Sequence, residues 1–557
     1  MSTSSGAFPS LGFATSFASG VLLHVFVFRI GEWDLYTTKI LRGLAAVSFG
    51  LALGLKVLEA VATGWSYDFR GSITLSLCLV FSMVAGLLSS MVIYRLSFCH
   101  RLHGFSGPFL ARLSNLYITQ CSVKNFHLYE EIQNLHRTYG DIVRVGPFTL
   151  SVVNAEAFHA IHANSSPCVK GPWYNIEQPA ISLHMSRDKE AHSRRRKAWD
   201  RAFNAKALYN YEPRVAEYAS QLLNRLEETR GMPFNISKWF GFYSFDVMGD
   251  LAFGKSFGML TEGVEHPFMS LVHTHMAMAG TFSHLVWMFP LFRAIPFANC
   301  DDVDFQRWLV KQLRHREQNQ PDVPDVFSWL LSEYESLEKP SKQDRMNLEA
   351  DMQLIAVAGS DTTSATLSCL FFLLVTNKVT YDNLQNEIDE FFLTYSQPNH
   401  SRLSKLKYLQ ACINEALRLF PPVPSGLQLM TPRQGLQVGE IFIPGNTIVT
   451  VPSYTMFRDE RFFPSPNDFI PERWTTRPEL VKDASIFAPF SVGRYACVGK
   501  QLGLMEVRYV TCLVLHRFTA ELAGNKSAST STFLAGLKDR FTLAVPDLEM
   551  VFTTRTS

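Results

Sequence analysis

The sequence of 557 residues has no CxxC pair and no zinc-like Cys/His spacing, and its cysteines number nine. That pattern argues against a disulfide framework and a structural zinc site, and an odd count leaves at least one thiol free for chemistry. An excess of one charge is missing as well. Lys and Arg total 52 against 50 Asp and Glu, and a formal net charge of +2 is too small for a nucleic-acid footprint. No glycine-rich dinucleotide or flavin fingerprint occurs, so electrons for any redox chemistry must come from a partner. Beyond Gly107 and Pro108 no repeat, low-complexity tract or Gly/Ser linker divides the chain. Charged residues make up 18%, whereas 47% are hydrophobic and 44 are Phe, which supplies a large core and leaves no compositional case for disorder.

The apolar residues are concentrated first at the N-terminus. Pro9 to Phe28 carries no formal charge and suffices for a membrane-crossing helix. No Lys or Arg precedes Arg29, so the positive region of a cleaved signal peptide is lacking. Ile73 to Tyr94 is a second uncharged run. Between them, Gly43 to Thr63 contains Lys56 and Glu59. Its Leu, Val and Phe residues favour insertion by about 3 to 5 kcal/mol, Lys56 opposes it by roughly 2 to 3, and Glu59 by somewhat less. The balance is near zero, so this segment either spans or lies in the interface. Arg29, Lys39 and Arg42 follow the first segment, Arg70 alone follows the second, and Arg95, Arg101 and Arg112 follow the third. With three spans, this distribution places the N-terminus in the lumen and the body in the cytosol. The sequons at Asn164, Asn235, Asn399 and Asn525 then remain unglycosylated.

The expected organisation is therefore an anchor over 1–94 and one catalytic domain over 95–557. Helical periodicity at 344–376, 381–392 and 404–419, with Gly-punctuated β-branched residues at 435–451, predicts a mainly α fold with small β-sheets.

The chemistry is concentrated in PFSVGRYACVGKQLGLMEVR, 489–508. Gly493 and Gly499 bracket Cys497 just before a helical pattern that begins near Lys500. Flexible backbone around one Cys accommodates a bulky ligand, and a helix N-terminus biases a thiol toward thiolate. A lone Cys in a Gly-rich turn is more often a structural residue, so the reading depends on its company. AGSDTT, Ala358 to Thr363, interrupts an apolar helical run with poor interior helix formers, which predicts a groove or kink. Glu415 and Arg418 lie three apart in NEALRLFPP, and FIPERW contributes Arg473. HSRRRK, 192–197, reads by itself as a solvated basic helix.

In this order and spacing the motifs resemble the cytochromes P450. Phe490, Gly493, Cys497 and Gly499 match the haem-binding pattern Phe-x-x-Gly-x-Arg-x-Cys-x-Gly, while Tyr495 stands where the family has Arg and Arg494 lies one residue earlier. The resemblance implies that Cys497 ligates haem iron, that Asp361 and Thr362 deliver protons for the reaction of dioxygen, and that Glu415, Arg418 and Arg473 form a structural triad. It also puts Arg196 and His192 at the haem-propionate pair, with His192 replacing the usual Trp and Arg494 as a candidate substitute at the propionates. Substrate-facing residues are expected near 165–190, 351–358, 421–429 and Phe533 to Leu537. The whole resembles fungal enzymes of specialised metabolism. The implied activity is a monooxygenase acting on a lipophilic small molecule, with O2 and NADPH as co-substrates and an NADPH–cytochrome P450 reductase as partner, at the endoplasmic reticulum membrane. A peroxide-rearranging haem enzyme would not need the AGSDTT relay, and a multispan receptor or haem sensor would leave the four ordered motifs without a purpose.

Overall fold

The computed structural model describes residues 7–61, 69–295 and 300–555. They form two compact units: the described residues up to 118 with 144–148 and those from 284 to 300, and the remaining described residues.

The first unit is built on three long apolar helices, Ala7–Leu23 continued by the π-helical turn His24–Phe28, Thr37–Val61 and Phe69–Leu96. They are long enough to cross a bilayer, and at most 11% of each apolar window is buried inside the protein. Thr37–Val61 has 25 residues, or about 37 Å of helix, so Lys56 does not shorten it below a membrane's roughly 30 Å core. The first and third helices lie side by side and parallel. A Cβ on Gly12 would lie 3.6 Å from Leu79, one on Gly20 would meet Met83 O, and His24 Nδ1 meets Ser90 Oγ at 2.8 Å, so contacts advance together along both chains. Backbones meet directly where glycine permits: a Cβ on Gly20 would fall 1.8 Å from Met83 O, and one on Gly86 would fall 2.1 Å from Phe17 O. Small residues and interhelical hydroxyl bonds are what hold helices together where no water drives association. Two parallel helices joined through a third require that third helix to run back between their ends.

Within the same unit, Arg144 N donates to Ser106 O in the segment HGFSGP, 103–108, at 2.7 Å, and the side chain of this residue, 1% exposed, donates to the carbonyls of Arg95, Leu102 and Pro147. Apolar residues of Val286–Met288 and Phe289–Ala294 also belong to this unit.

The second unit is organised around helix Lys342–Thr376. Its composition alone would admit a membrane span, yet 72% of its apolar window is buried in protein, which makes it the central core helix. Ser341 and Asp344 start it with reciprocal capping bonds. The helix is continuous through AGSDTT, where the hydroxyls bond back along it, Ser360 to Ala356 O, Thr362 to Ala358 O and Thr366 to Thr362 O. The sheets are small. Thr149–Val152 pairs in parallel with Ile448–Thr450, which continues antiparallel to Leu429–Met430 and then Val169–Lys170. Phe518–Leu522, Glu549–Thr554 and Pro233–Asn235 form a second sheet. The 435–451 stretch yields strands 436–438, 441–443 and 448–450, as its β-branched pattern predicts. Helices Lys378–Thr394 and Lys407–Leu419 occupy the other two periodic stretches.

Candidate functional site

The loop before helix Lys500–Arg517 is shaped by backbone constraints. Gly493 has φ +72°, and a Cβ there would fall 2.0 Å from His162 O, so only glycine fits. Cys497 N donates to Phe490 O at 2.8 Å, closing the loop and turning the thiol toward the helix start. Cys497 keeps accessible surface, yet protein packs around the thiol closely enough that burial pushes its pKa up. Accessible surface within dense packing marks an internal hollow. The N–H groups of Gly499 and Lys500 and the charges of Arg196 and Lys500 oppose the rise without overcoming it. The thiolate bias expected at a helix start is thus present but outweighed by burial in the free thiol.

Tertiary packing brings the second motif to the first. The Gly503 Cβ position is 3.6 Å from Thr363 Oγ1, so helix Lys500–Arg517 rests on the central helix at AGSDTT. In that otherwise buried stretch Ala358 is exposed, and Asp361 and Thr362 are half-buried. One polar stripe of the central helix therefore opens to space while Ser360 and Thr363 face the core. Asp361 Oδ1 lies 3.2 Å from His273 Nε2 on helix Pro267–Phe282.

The basic helix Lys189–Ala202 is capped by Asp188, whose side chain accepts from Ala191 N. It is not a uniformly solvated face. Arg195 reaches buried Asp351 of the central helix at 2.6 Å, and Asp351 also accepts from Leu183 N at 2.7 Å. Arg196 donates to Ala496 O at 2.7 Å, beside Cys497 in sequence, and pairs with Asp200 at 2.8 Å. His192 is 3% exposed, lies edge-on to the Tyr495 ring at 5.0 Å, and has no partner at Nδ1. Burial, then the charges of Lys170, Arg196, Arg494 and Arg195, hold its pKa down at about 3. Arg494 donates to Ser193 Oγ and Asn164 O and, with Arg196 and His192, lines a cleft of about 430 Å³.

Sequence reasoning missed Lys170. This buried residue ends an edge strand, donates to the carbonyls of Leu183 and His184, and holds its ammonium 4.8 Å from the Tyr495 ring centroid. Burial, together with Arg195 and Arg196, lowers its pKa to about 7. A cation stands beside the position where the family Arg is lacking, and the only sequence signal was a lone Lys in an apolar strand.

The triad is assembled as expected. Glu415 contacts Arg418 and Arg473 at 2.8 Å, and all three side chains are 0% exposed. Of the expected substrate-facing positions, Phe533 and Leu537 do not face open space. They are 1% and 2% exposed, and Phe533 stacks on Phe372 at 4.3 Å, so they pack in the core.

A thiol at an internal hollow, glycines that keep its surroundings clear, and buried Lys170 with partly buried Arg196 and Arg494 beside unpartnered polar atoms suit a planar, dianionic cofactor ligated through sulfur. The Tyr495 hydroxyl and His192 Nδ1, buried without hydrogen-bond partners, lie in that cationic group. Such a centre defines the haem-thiolate proteins. The chain belongs to the cytochrome P450 family, whose model matches residues 110–539. It is 53% identical, over the full length of both chains, to cytochrome P450 monooxygenase FCK2 of Fusarium pseudograminearum. It is 44% identical to cytochrome P450 monooxygenase orf5 of Eupenicillium brefeldianum over 84% of this chain and 94% of that one. It is 34% identical to tryprostatin B 6-hydroxylase of Aspergillus fumigatus over 97% and 96%. The protein is a haem-dependent monooxygenase similar to fungal enzymes of secondary metabolism, using O2 and NADPH-derived electrons delivered by a reductase.

Proposed function

We propose that Cys497 would ligate the haem iron through sulfur, that Asp361 and Thr362 carry protons for oxygen activation, and that Arg196, His192, Arg494 and Lys170 would hold the haem propionates. Phe490 and Gly493 shape the loop. The observation that carries the reading is the seating of the Cys497 helix, through Gly503, on Thr363 of the central helix. When bound, haem supplies oxygen activation driven by thiolate donation. The protein's contribution is to exclude water, hold the acid and alcohol on one helical stripe, and neutralise two carboxylates with cations already fixed by carbonyls. Lys170 adjoins Tyr495, so its ammonium supplies charge where the family uses Arg.

Residues 1–94 act as a three-span anchor of the endoplasmic reticulum membrane. The parallel first and third helices support this topology, because the N-terminus then lies across the membrane from Leu96, where residues 95–557 begin as the cytosolic catalytic domain. The side chains of Asn235, Asn399 and Asn525 cap helices, consistent with a body that is not glycosylated. NADPH–cytochrome P450 reductase is the electron donor, and the substrate is a lipophilic small molecule.

Cys497→Ala tests the assignment. The variant should lose the red-shifted carbon monoxide band of the reduced protein, since that band reports sulfur opposite carbon monoxide. Retention of the band would remove Cys497 from the iron.

A further inference from the structure

His273 stands on a different helix from the relay yet touches it. Its Nε2 is 3.2 Å from Asp361 Oδ1, and its side chain is 42% exposed where that of Asp361 is only 12% exposed. One ring therefore keeps accessible surface while touching the enclosed acid, and nothing in the motif AGSDTT itself provides that link. We propose that His273 is the solvent-side member of the proton relay, passing protons from water to Asp361; this rests on Asp361 being the relay acid.

The exchange balances simply. The imidazolium gives its Nε2 proton to Oδ1, leaving a neutral ring and a carboxylic acid. The ring regains a proton from water, and the acid returns to carboxylate as its proton moves toward Thr362. Two such cycles provide the two protons that a monooxygenase consumes in forming water, while NADPH supplies the electrons.

The surroundings suit a group that changes charge. Burial works against the imidazolium, but the hydrogen bond and charge of Asp361, aided by Glu265, outweigh it against opposition from Arg540, so the pKa is raised. Phe245 packs edge-on at 5.9 Å and adds no charge. The ring is thus protonated into a higher pH range than an ordinary histidine.

The test uses the full membrane-bound chain with reductase and dioxygen, with 7-ethoxycoumarin as the lipophilic probe. NADPH oxidation and hydrogen peroxide release are followed from about pH 6 to 9, the range that brackets imidazole titration. Wild-type oxidation should fall as pH rises through the His273 titration. His273→Gln keeps size and a donor but cannot titrate, so its profile should be flat and lie about tenfold low at acidic pH, the low end of a general-acid contribution eased by water. His273→Lys keeps an ion pair to Asp361 but does not deprotonate in this range, so it too should lose the break. Cumene hydroperoxide, which bypasses the relay, should drive probe turnover equally in all variants. A wild-type rate and profile in His273→Gln, with Asp361→Asn slow, would overturn the role of His273 alone. An undiminished rate in Asp361→Asn would overturn the relay reading itself. A wild-type rate in His273→Lys at every pH would reduce His273 to a clamp on Asp361.

Discussion

Glu415→Gln asks whether charge or shape holds the buried ion cluster together. The Glu415 carboxylate accepts from Arg418 Nε at 3.0 Å and Nη2 at 2.8 Å, Arg473 Nε at 2.8 Å, Trp474 Nε1 at 2.9 Å and Ile470 N at 3.1 Å. The two guanidiniums also serve the carbonyls of Phe457, Pro466 and Asp468, and of Pro464, Ser465 and Leu480. Gln preserves volume, removes the counter-charge of both cations, and sets an NH2 where an oxygen accepted. Removing one partner from a buried pair costs about 3–5 kcal/mol, because the remaining charge has no water to return to. Against a typical total of roughly 5–15 kcal/mol, that loss is severe. The carbonyl bonds remain, so the guanidiniums stay in place and the damage falls on stability rather than on the path of the chain. Urea denaturation in detergent, followed by circular dichroism and by the carbon monoxide band, measures it. Asp141→Asn is the control: it breaks an exposed bidentate pair with Arg461, at 2.8 and 2.9 Å, with side chains 52% and 40% exposed. Pairs of that kind contribute about 0–1 kcal/mol. If Glu415→Gln lost no more stability than Asp141→Asn, the argument from buried charge would fail.

Thr362→Val should preserve haem content and the carbon monoxide band while product per NADPH falls on the order of 10²-fold and hydrogen peroxide rises, if its hydroxyl makes an ordinary general-acid contribution; unchanged coupling with a verified substrate would return AGSDTT to a packing role. Gly493→Ala should yield protein depleted of haem, because its Cβ would meet His162 O at 2.0 Å from a backbone at φ +72°; a full haem complement would contradict that packing. An N-terminal tag on the full chain should resist protease in sealed microsomes, and digestion from the cytosolic side would rule out three spans. Gly20→Val should abolish close contact of the first and third helices, since even a Cβ meets Met83 O at 1.8 Å; loss of an engineered disulfide between positions 16 and 79 would report it.

Local pattern in the sequence determined a great deal here. The apolar runs near the N-terminus, the periodic stretches ending in the helices at 342–376 and 407–419, and the strands within 435–451 follow from spacing and composition, because helix and strand periods are read over a few neighbouring residues. The Glu415 and Arg418 pair, three apart, was legible for the same reason, whereas the roles expected of Cys497, Asp361 and Thr362 came from the resemblance that their motifs carry together. Composition could not distinguish the central helix from a membrane span, since both are apolar; only its burial among other helices separates them. Nor could hydropathy decide the middle N-terminal segment, whose Lys56 and Glu59 balanced its apolar residues; in the structure it is one helix, Thr37–Val61, long enough to cross a bilayer. Lys170 against Tyr495, Arg195 on Asp351 and His273 on Asp361 join residues 88 to 325 positions apart. No local period links such residues, and their charges acquire their meaning only when folding removes water from between them.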